Sequence, residues 1–176
     1  MTREDLHAAV KEAGLTHVCL TGGEPLLQPD LPELAQELMD AGYTVSVETG
    51  GHMDISTLPK GVHRICDIKT PGAFSRPAEV KQDIFEDTEF FEENLKSFCA
   101  SDEVKFVVAH IEEMPWVEAV IKRFDLSNRV HAIHISPVHG SIDLEALAQW
   151  IVANQLPARL SLQLHKFIFG EDAVGV

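Results

Sequence analysis

Basic side chains are scarce: 14 lysines and arginines stand against 28 acidic residues, a formal net charge of −14. That balance repels phosphate backbones and anionic lipid headgroups unless the cations gather on one face, which sets nucleic acid and membranes aside as partners. Cysteine is as sparse, with only Cys19, Cys66 and Cys99, far apart along the chain. An odd and scattered set writes neither a disulfide framework nor a Cys-x-x-Cys metal knuckle, so the three read as buried or neutral thiols. No apolar run approaches the ~18 residues that span a bilayer, and no basic segment leading into an apolar stretch opens the chain. The cytoplasm is the expected location.

What is present suits one globular domain over residues 1–176: the composition is 45% hydrophobic, with no repeat or low-complexity tract. A chain of this length buries about two-thirds of the surface its unfolded form exposes. Helical spacing of Leu6, Val10 and Ala13 after Thr2 predicts an opening helix that Gly14 stops. The apolar run at residues 17–20 breaks at Thr21-Gly22-Gly23-Glu24-Pro25, as a buried strand does when it gives way to a loop. Asp30 then caps a helix whose Leu31, Leu34, Ala35 and Leu38 share a face and which Gly42 closes.

The alternation continues. Strands are expected at residues 44–47, 63–68, 103–108, 130–135 and 159–164, with helices at 86–98, 112–124 and 143–154. Residues 70–85, rich in Pro, Gly and charge, read as a long loop. Strands alternating with helical or crossover segments make this an α/β chain with a parallel sheet, curled or open.

In such folds ligands bind at the carboxyl ends of the strands. The first strand is followed there by Thr21 to Glu24, the second by Glu48-Thr49-Gly50-Gly51, and the third by Asp67, Lys69 and Thr70-Pro71-Gly72. The fifth brings Ser136-Pro137-Val138-His139-Gly140, and the sixth ends in Gln163, His165 and Lys166. Each patch alone is ordinary turn chemistry; their shared rim makes them a candidate site. Paired glycines let main-chain groups approach a ligand that a Cβ would hold away, with Glu24 beside them for an ammonium group. Lys69 suits a carboxylate, and Ser136 and His139 suit sugar hydroxyls. His165, predicted in an apolar strand, reads as a core histidine until its place at the rim is considered. His17, His63, His131 and His134 read as structural, and Glu86, Asp87, Glu89, Glu92 and Glu93 as the wet face of a helix.

Val18-Cys19-Leu20-Thr21-Gly22-Gly23-Glu24-Pro25-Leu26-Leu27 resembles the Gly-Gly-Glu segment of radical S-adenosylmethionine enzymes. Val47 to Gly51, Cys66 to Gly72, Asp102 to Val107 and Leu162 to Ile168, in that order, resemble the 7-carboxy-7-deazaguanine synthase family, over most of the chain. The resemblance implies a partial parallel βα barrel of the radical SAM type. It also implies a lyase of queuosine and 7-deazapurine biosynthesis. There, reductive cleavage of S-adenosylmethionine at a [4Fe–4S] cluster starts the ring contraction of 6-carboxy-5,6,7,8-tetrahydropterin with loss of ammonia. By motif, Gly22, Gly23, Glu24, Asp67, Ile68, Lys69, Ser136, Pro137, Val138 and His139 would surround S-adenosylmethionine, and Thr21 and His165 the pterin. A Mg2+ ion, a flavodoxin- or ferredoxin-like reductant and a homodimer belong to the same expectation.

The sequence departs from that family at both ends. Family members carry a strand and a three-cysteine loop before the first helix; here Met1 follows that point, so the chain is expected to be N-terminally truncated, without cluster or magnesium ligands, and inactive alone. An uncovered first strand would favour aggregation or dimerisation. Beyond Lys166 the chain continues to Val176, where many relatives have stopped. Two other readings share parts of this pattern: a glycyl-radical activating enzyme, which also carries Gly-Gly-Glu and Asp-x-Lys, and a non-catalytic module of the same fold.

Overall fold

The computed structural model describes residues 2–73 and 91–170. Six parallel strands form one sheet in strict chain order: β1 (His17–Leu20), β2 (Thr44–Thr49), β3 (His63–Lys69), β4 (Glu103–Val108), β5 (Ala132–Pro137) and β6 (Arg159–Leu160). A sequential order has no point at which strand order reverses, so the winding is that of a βα barrel rather than a doubly wound sheet. Among the described residues the sheet stays open, since there β1 pairs only with β2 and β6 only with β5. The expected partial parallel βα barrel is therefore the observed architecture.

Strand periodicity divides the side chains between two faces. On β2, β3 and β4, Val45, Val47, Cys66, Ile68, Val104, Phe106 and Val108 are all buried. Helices α2 (Leu31–Asp40), α3 (Phe91–Ser97), α4 (Met114–Arg123) and α6 (Leu144–Ala153) cover that face, through Leu34 and Leu38, Leu95, Val117 and Ile121, and Leu147 and Ile151. The alternate residues, among them Ser46, Glu48, Asp67, Lys105 and His134, are only half-buried on the other, inner face. Two short helices complete the convex layer and the chain's end, α5 (Leu126–Arg129) and α7 (Leu164–Phe169).

Local chemistry sets most boundaries. Helix α1 (Arg3–Ala13) starts at a reciprocal capping box between Thr2 and Asp5 and stops at Gly14 in the left-handed region, φ 67°. Its Arg3 and His7 reach Glu37 of α2. Asp30 holds the N-cap position of α2 without making a side-chain cap bond, and instead lies 3.6 Å from Arg3. Helix α2 ends in a Schellman arrangement: Tyr43 N–H donates to Leu38, Gly42 N–H donates to Met39, and Gly42 has φ 92°.

Three expectations need correction. The strand expected at 130–135 begins at Ala132, because Val130 N–H still donates to Leu126 at the end of α5. The strand expected at 159–164 stops after Leu160, despite the alternation of Leu160, Leu162 and Leu164. Ser161 N–H donates to Ile135, and the next ladder bond would need an N–H from Pro137, which has none. The chain turns into α7, so His165 sits half-buried on a helix rather than in a strand. For the helix expected at 86–98, α3 covers Phe91–Ser97, and residues 86–90 lie outside the described residues, as do 74–85 of the long loop and the end beyond Gly170. Glu92 pairs with Arg123 and Lys96, and Glu93 with Lys96, as a solvated acidic face should.

Candidate functional site

The loops after the strands are tied to one another by buried polar side chains. Glu24 is 7% exposed at its side chain, and its carboxylate accepts from Leu26 N–H, Thr49 hydroxyl and Gly50 N–H at 3.1, 2.8 and 2.8 Å. Asn94 donates to the carbonyls of Gly51 and Met53 and accepts from Ile55 N–H, anchoring the loop after β2 to α3. Glu113 accepts from Thr70 hydroxyl and from the N–H groups of Gly72, Ala109 and His110, joining the loops after β3 and β4. Burial pushes the Glu113 carboxyl up, but those four donors outweigh it and hold it below the usual glutamate range. The rim is thus a stapled frame in which three donors fix the orientation of the Glu24 carboxylate.

Gly22 and Gly23 precede Glu24 with φ 96° and 54°, exposed, with open space where a Cβ would stand. Their main-chain groups are therefore what this loop offers a ligand. Gly51 has a different reason to be glycine. At φ 73°, a Cβ there would fall 2.5 Å from the Cys66 sulfur.

Beneath the rim, the inner face carries a charged array across β2, β3 and β4. Lys105 Nζ lies 2.9 Å from Asp67 Oδ1 and 3.7 Å from Glu48 Oε1, and the Thr21 hydroxyl donates to Glu48 Oε2 at a long 3.5 Å. Register explains the Asp67 contact, since Asp67 and Lys105 are direct cross-strand partners. Burial raises the Asp67 carboxyl above the ordinary aspartate range against the pull of Lys105. Burial also opposes the Lys105 ammonium, but Asp67 and Glu48 more than compensate and raise its pKa. His134 Nε2 and Glu103 Oε2, 3.0 Å apart, extend the polar surface towards β5.

A second feature lies past β5. Pro137, Val138, His139 and Gly140 line a cavity of about 220 Å³ with Ile142, Leu144, Leu162, Gln163 and Phe167. The His139 and Phe167 rings meet edge to face at 5.5 Å. The lining suits a flat apolar group with a few polar edges. Ser136, 7% exposed, precedes Pro137 on β5.

The sequence-predicted residues thus fall into two groups. Thr21, Gly22, Gly23, Asp67 and Lys69 belong with the array, and Pro137 to His139 line the cavity, with Ser136 next to them in the chain. The side chain of Ile68 points into the core at 1% exposure, leaving only its main chain for a ligand. Lys105 was missed because its strand reads as plain alternation; the signal was its cation at an inner-face position beside the Asp67 tier.

The donor sets differ in what they fit. Exposed glycine main chain, Lys69 and an apolar slot suit the zwitterion and flat base of a nucleoside-bearing amino acid. The thiols do not suit a [4Fe–4S] cluster. Cys66 is buried beneath the helices, where burial pushes its pKa up, and Cys99 lies before β4 against Ser101 and Arg64. Cys19 stands on β1. A cubane needs thiolates from one compact loop. Among the described residues, no three His, Cys, Asp or Glu side chains gather where they would hold a metal.

No family model matches the chain. Several curated proteins named 7-carboxy-7-deazaguanine synthase are similar to it. That of Methanospirillum hungatei is 41% identical over 155 residues, 86% of this chain and 58% of the relative. That of Koribacter versatilis is 31% identical over 192 aligned residues, covering 100% of this chain and 79% of the relative. That of Chlorobaculum tepidum is 32% identical over 180 residues, 100% of this chain and 76% of the relative. The chain thus spans between just over half and about four-fifths of their lengths. In structure it resembles Streptococcus suis SuiB bound to S-adenosylmethionine, with a TM-score of 0.60 and 14% identity over 92% of this chain and 41% of that one, a likeness of fold. On the strength of relatives above 30% identity that it covers by three-quarters or more, the chain belongs to the 7-carboxy-7-deazaguanine synthase family.

Proposed function

We propose that this chain is the S-adenosylmethionine- and pterin-binding core of a radical enzyme that contracts 6-carboxy-5,6,7,8-tetrahydropterin to 7-carboxy-7-deazaguanine with loss of ammonia. The observation that carries the reading is the division of the sheet. One face is wholly given to packing, while the other places Thr21, Glu48, Asp67 and Lys105 within ion-pair or hydrogen-bond reach below exposed glycines. A pterin ring bears several N–H donors, and Glu48 and Thr21 are acceptors placed at the opening for them.

S-adenosylmethionine, when bound and reduced, supplies the hydrogen-abstracting species. The protein's task is binding, orientation and water exclusion. Main-chain groups at Gly22 and Gly23 meet the amino-acid end, Lys69 its carboxylate, and the slot lined by Pro137, Val138 and His139 the base. His165, on α7 beside that slot, faces the pterin from the other side. No step is assigned to the cluster, because Cys19, Cys66 and Cys99 do not fit it. A one-electron reductant, magnesium and a homodimer accompany this reading; Leu164, Phe167, Ile168 and Phe169, all more than half exposed on α7, favour an assembled form.

Calorimetric titration tests the binding claim directly. The chain is expected to take up S-adenosylmethionine, and more weakly once Ser136→Val and Lys69→Ala are introduced. Anaerobic turnover by the full gene product should yield 7-carboxy-7-deazaguanine and ammonia. A chain that takes up neither S-adenosylmethionine nor a carboxypterin, beside a full product that turns over nothing, would sink the reading.

A further inference from the structure

We propose that Lys105 is a positioning residue: anchored by Asp67, it fixes the Glu48 carboxylate in the orientation that receives the N–H donors of a bound pterin. The inference rests on the proposed function and deepens it by assigning the group that sets the geometry of the pterin end.

Exposure rises in order along the array. The Lys105 side chain is 22% exposed and Asp67 27%, whereas Glu48, nearest the opening, is 39% exposed. The two oxygens of Glu48 are addressed separately, Oε1 by the ammonium at 3.7 Å and Oε2 by Thr21 at 3.5 Å. Both contacts are long, so they bias the carboxylate by charge and dipole and leave its lone pairs available. Asp67 Oδ1 is buried without an aligned hydrogen bond, so the ammonium charge 2.9 Å away is what offsets its burial. One cation between two carboxylates leaves the opening acidic, which favours a donor-rich ligand edge over another anion. On the remaining sides, Lys69 lies on β3, Glu103 on β4 with Lys105 itself, and His134 on β5 is held by Glu103. None of these substitutes for Lys105 between Asp67 and Glu48.

The probe is 6-carboxypterin, whose fluorescence reports its binding to the chain in the presence of S-adenosylmethionine. Lys105→Met and Glu48→Gln are each expected to weaken binding about tenfold, and Lys105→Arg to recover it to within about threefold. The Lys105→Met/Glu48→Gln double variant should bind about as well as Glu48→Gln alone, because a residue acting through Glu48 has nothing left to position. S-adenosylmethionine affinity should be unchanged by Lys105→Met. If Lys105→Met loses its cooperative melt, Asp67→Asn/Lys105→Met removes both buried charges and enters the same cycle. Unchanged pterin affinity in Lys105→Met, or penalties that multiply in the double variant, overturns the positioning role while the functional reading stands. A parent chain that binds no carboxypterin overturns the pterin-binding part of the functional reading and the role of Lys105 with it.

Discussion

Strand β4 shows two proteins in one segment. Val104, Phe106 and Val108 are 0% exposed beneath the helices, while Glu103, Lys105 and Val107, interleaved with them, are half-buried on the inner face. The helix-side set is held by area removed from water and close packing, which are insensitive to pH and salt. Glu103 and Lys105 of the inner set are held by ion pairs whose partners come from three other strands, so they answer to protonation and to ligands. A barrel left open on its inner side tolerates this because charges there keep some water. The same chain thereby separates what makes it fold from what lets it bind.

The sharpest test of that division is Phe106→Ala. It removes a ring packed edge to face with Trp116 at 6.3 Å and should cost about 3–5 kcal/mol in urea denaturation. A loss below about 1 kcal/mol would mean that the convex face is not the packed core described. Gly51→Ala comes next. Its left-handed backbone alone costs about 1–2 kcal/mol, and the contact with the Cys66 sulfur adds to that. Adding Cys66→Ala should recover the steric part and leave the backbone part, so no recovery would refute the close approach as its cause.

Glu113→Gln probes the rim through pH. The folded-state pKa of Glu113 is lowered, so its contribution is present above the unfolded value of about 4.3 and is lost as pH falls through the folded value. Thermal melts between about pH 6 and pH 3 should therefore fall less steeply with acid in the variant than in the parent. Asp67 works with the opposite sign: its raised pKa makes the folded state take up a proton first, so stability gains as pH falls through that value. Asp67→Asn should steepen the acid loss that Glu113→Gln flattens, and identical slopes in the two variants would contradict both assignments. The smallest effect is expected at Glu103→Gln, three residues from Phe106, where losing the pairing with His134 should change stability by about 1 kcal/mol or less. A loss there comparable to that of Phe106→Ala would erase the contrast between the faces.

Legibility followed the range of the interactions. Thr2, Gly14 and Gly42 were readable as helix ends because a cap acts within a few residues. Strands β1 to β5 were readable because each repeats apolar residues over a short span. The anchoring of Glu24 was not legible, since its partners Thr49 and Gly50 lie 25 and 26 residues on, and nothing local marks a carboxylate as engaged. His165 was misplaced because Leu160, Leu162 and Leu164 alternate as a strand does, while the ladder depended on a missing N–H in a different strand, at Pro137.

By itself, the sequence determined the alternation of strands and helices, the apolar face of each strand and the glycine-bearing loops at their ends, because these follow from backbone sterics and hydrophobic period. Only the tertiary structure decided which polar groups meet. Lys105 reaches both Asp67 and Glu48 because parallel register and sheet order set β2, β3 and β4 side by side, and no spacing within any one strand encodes that meeting.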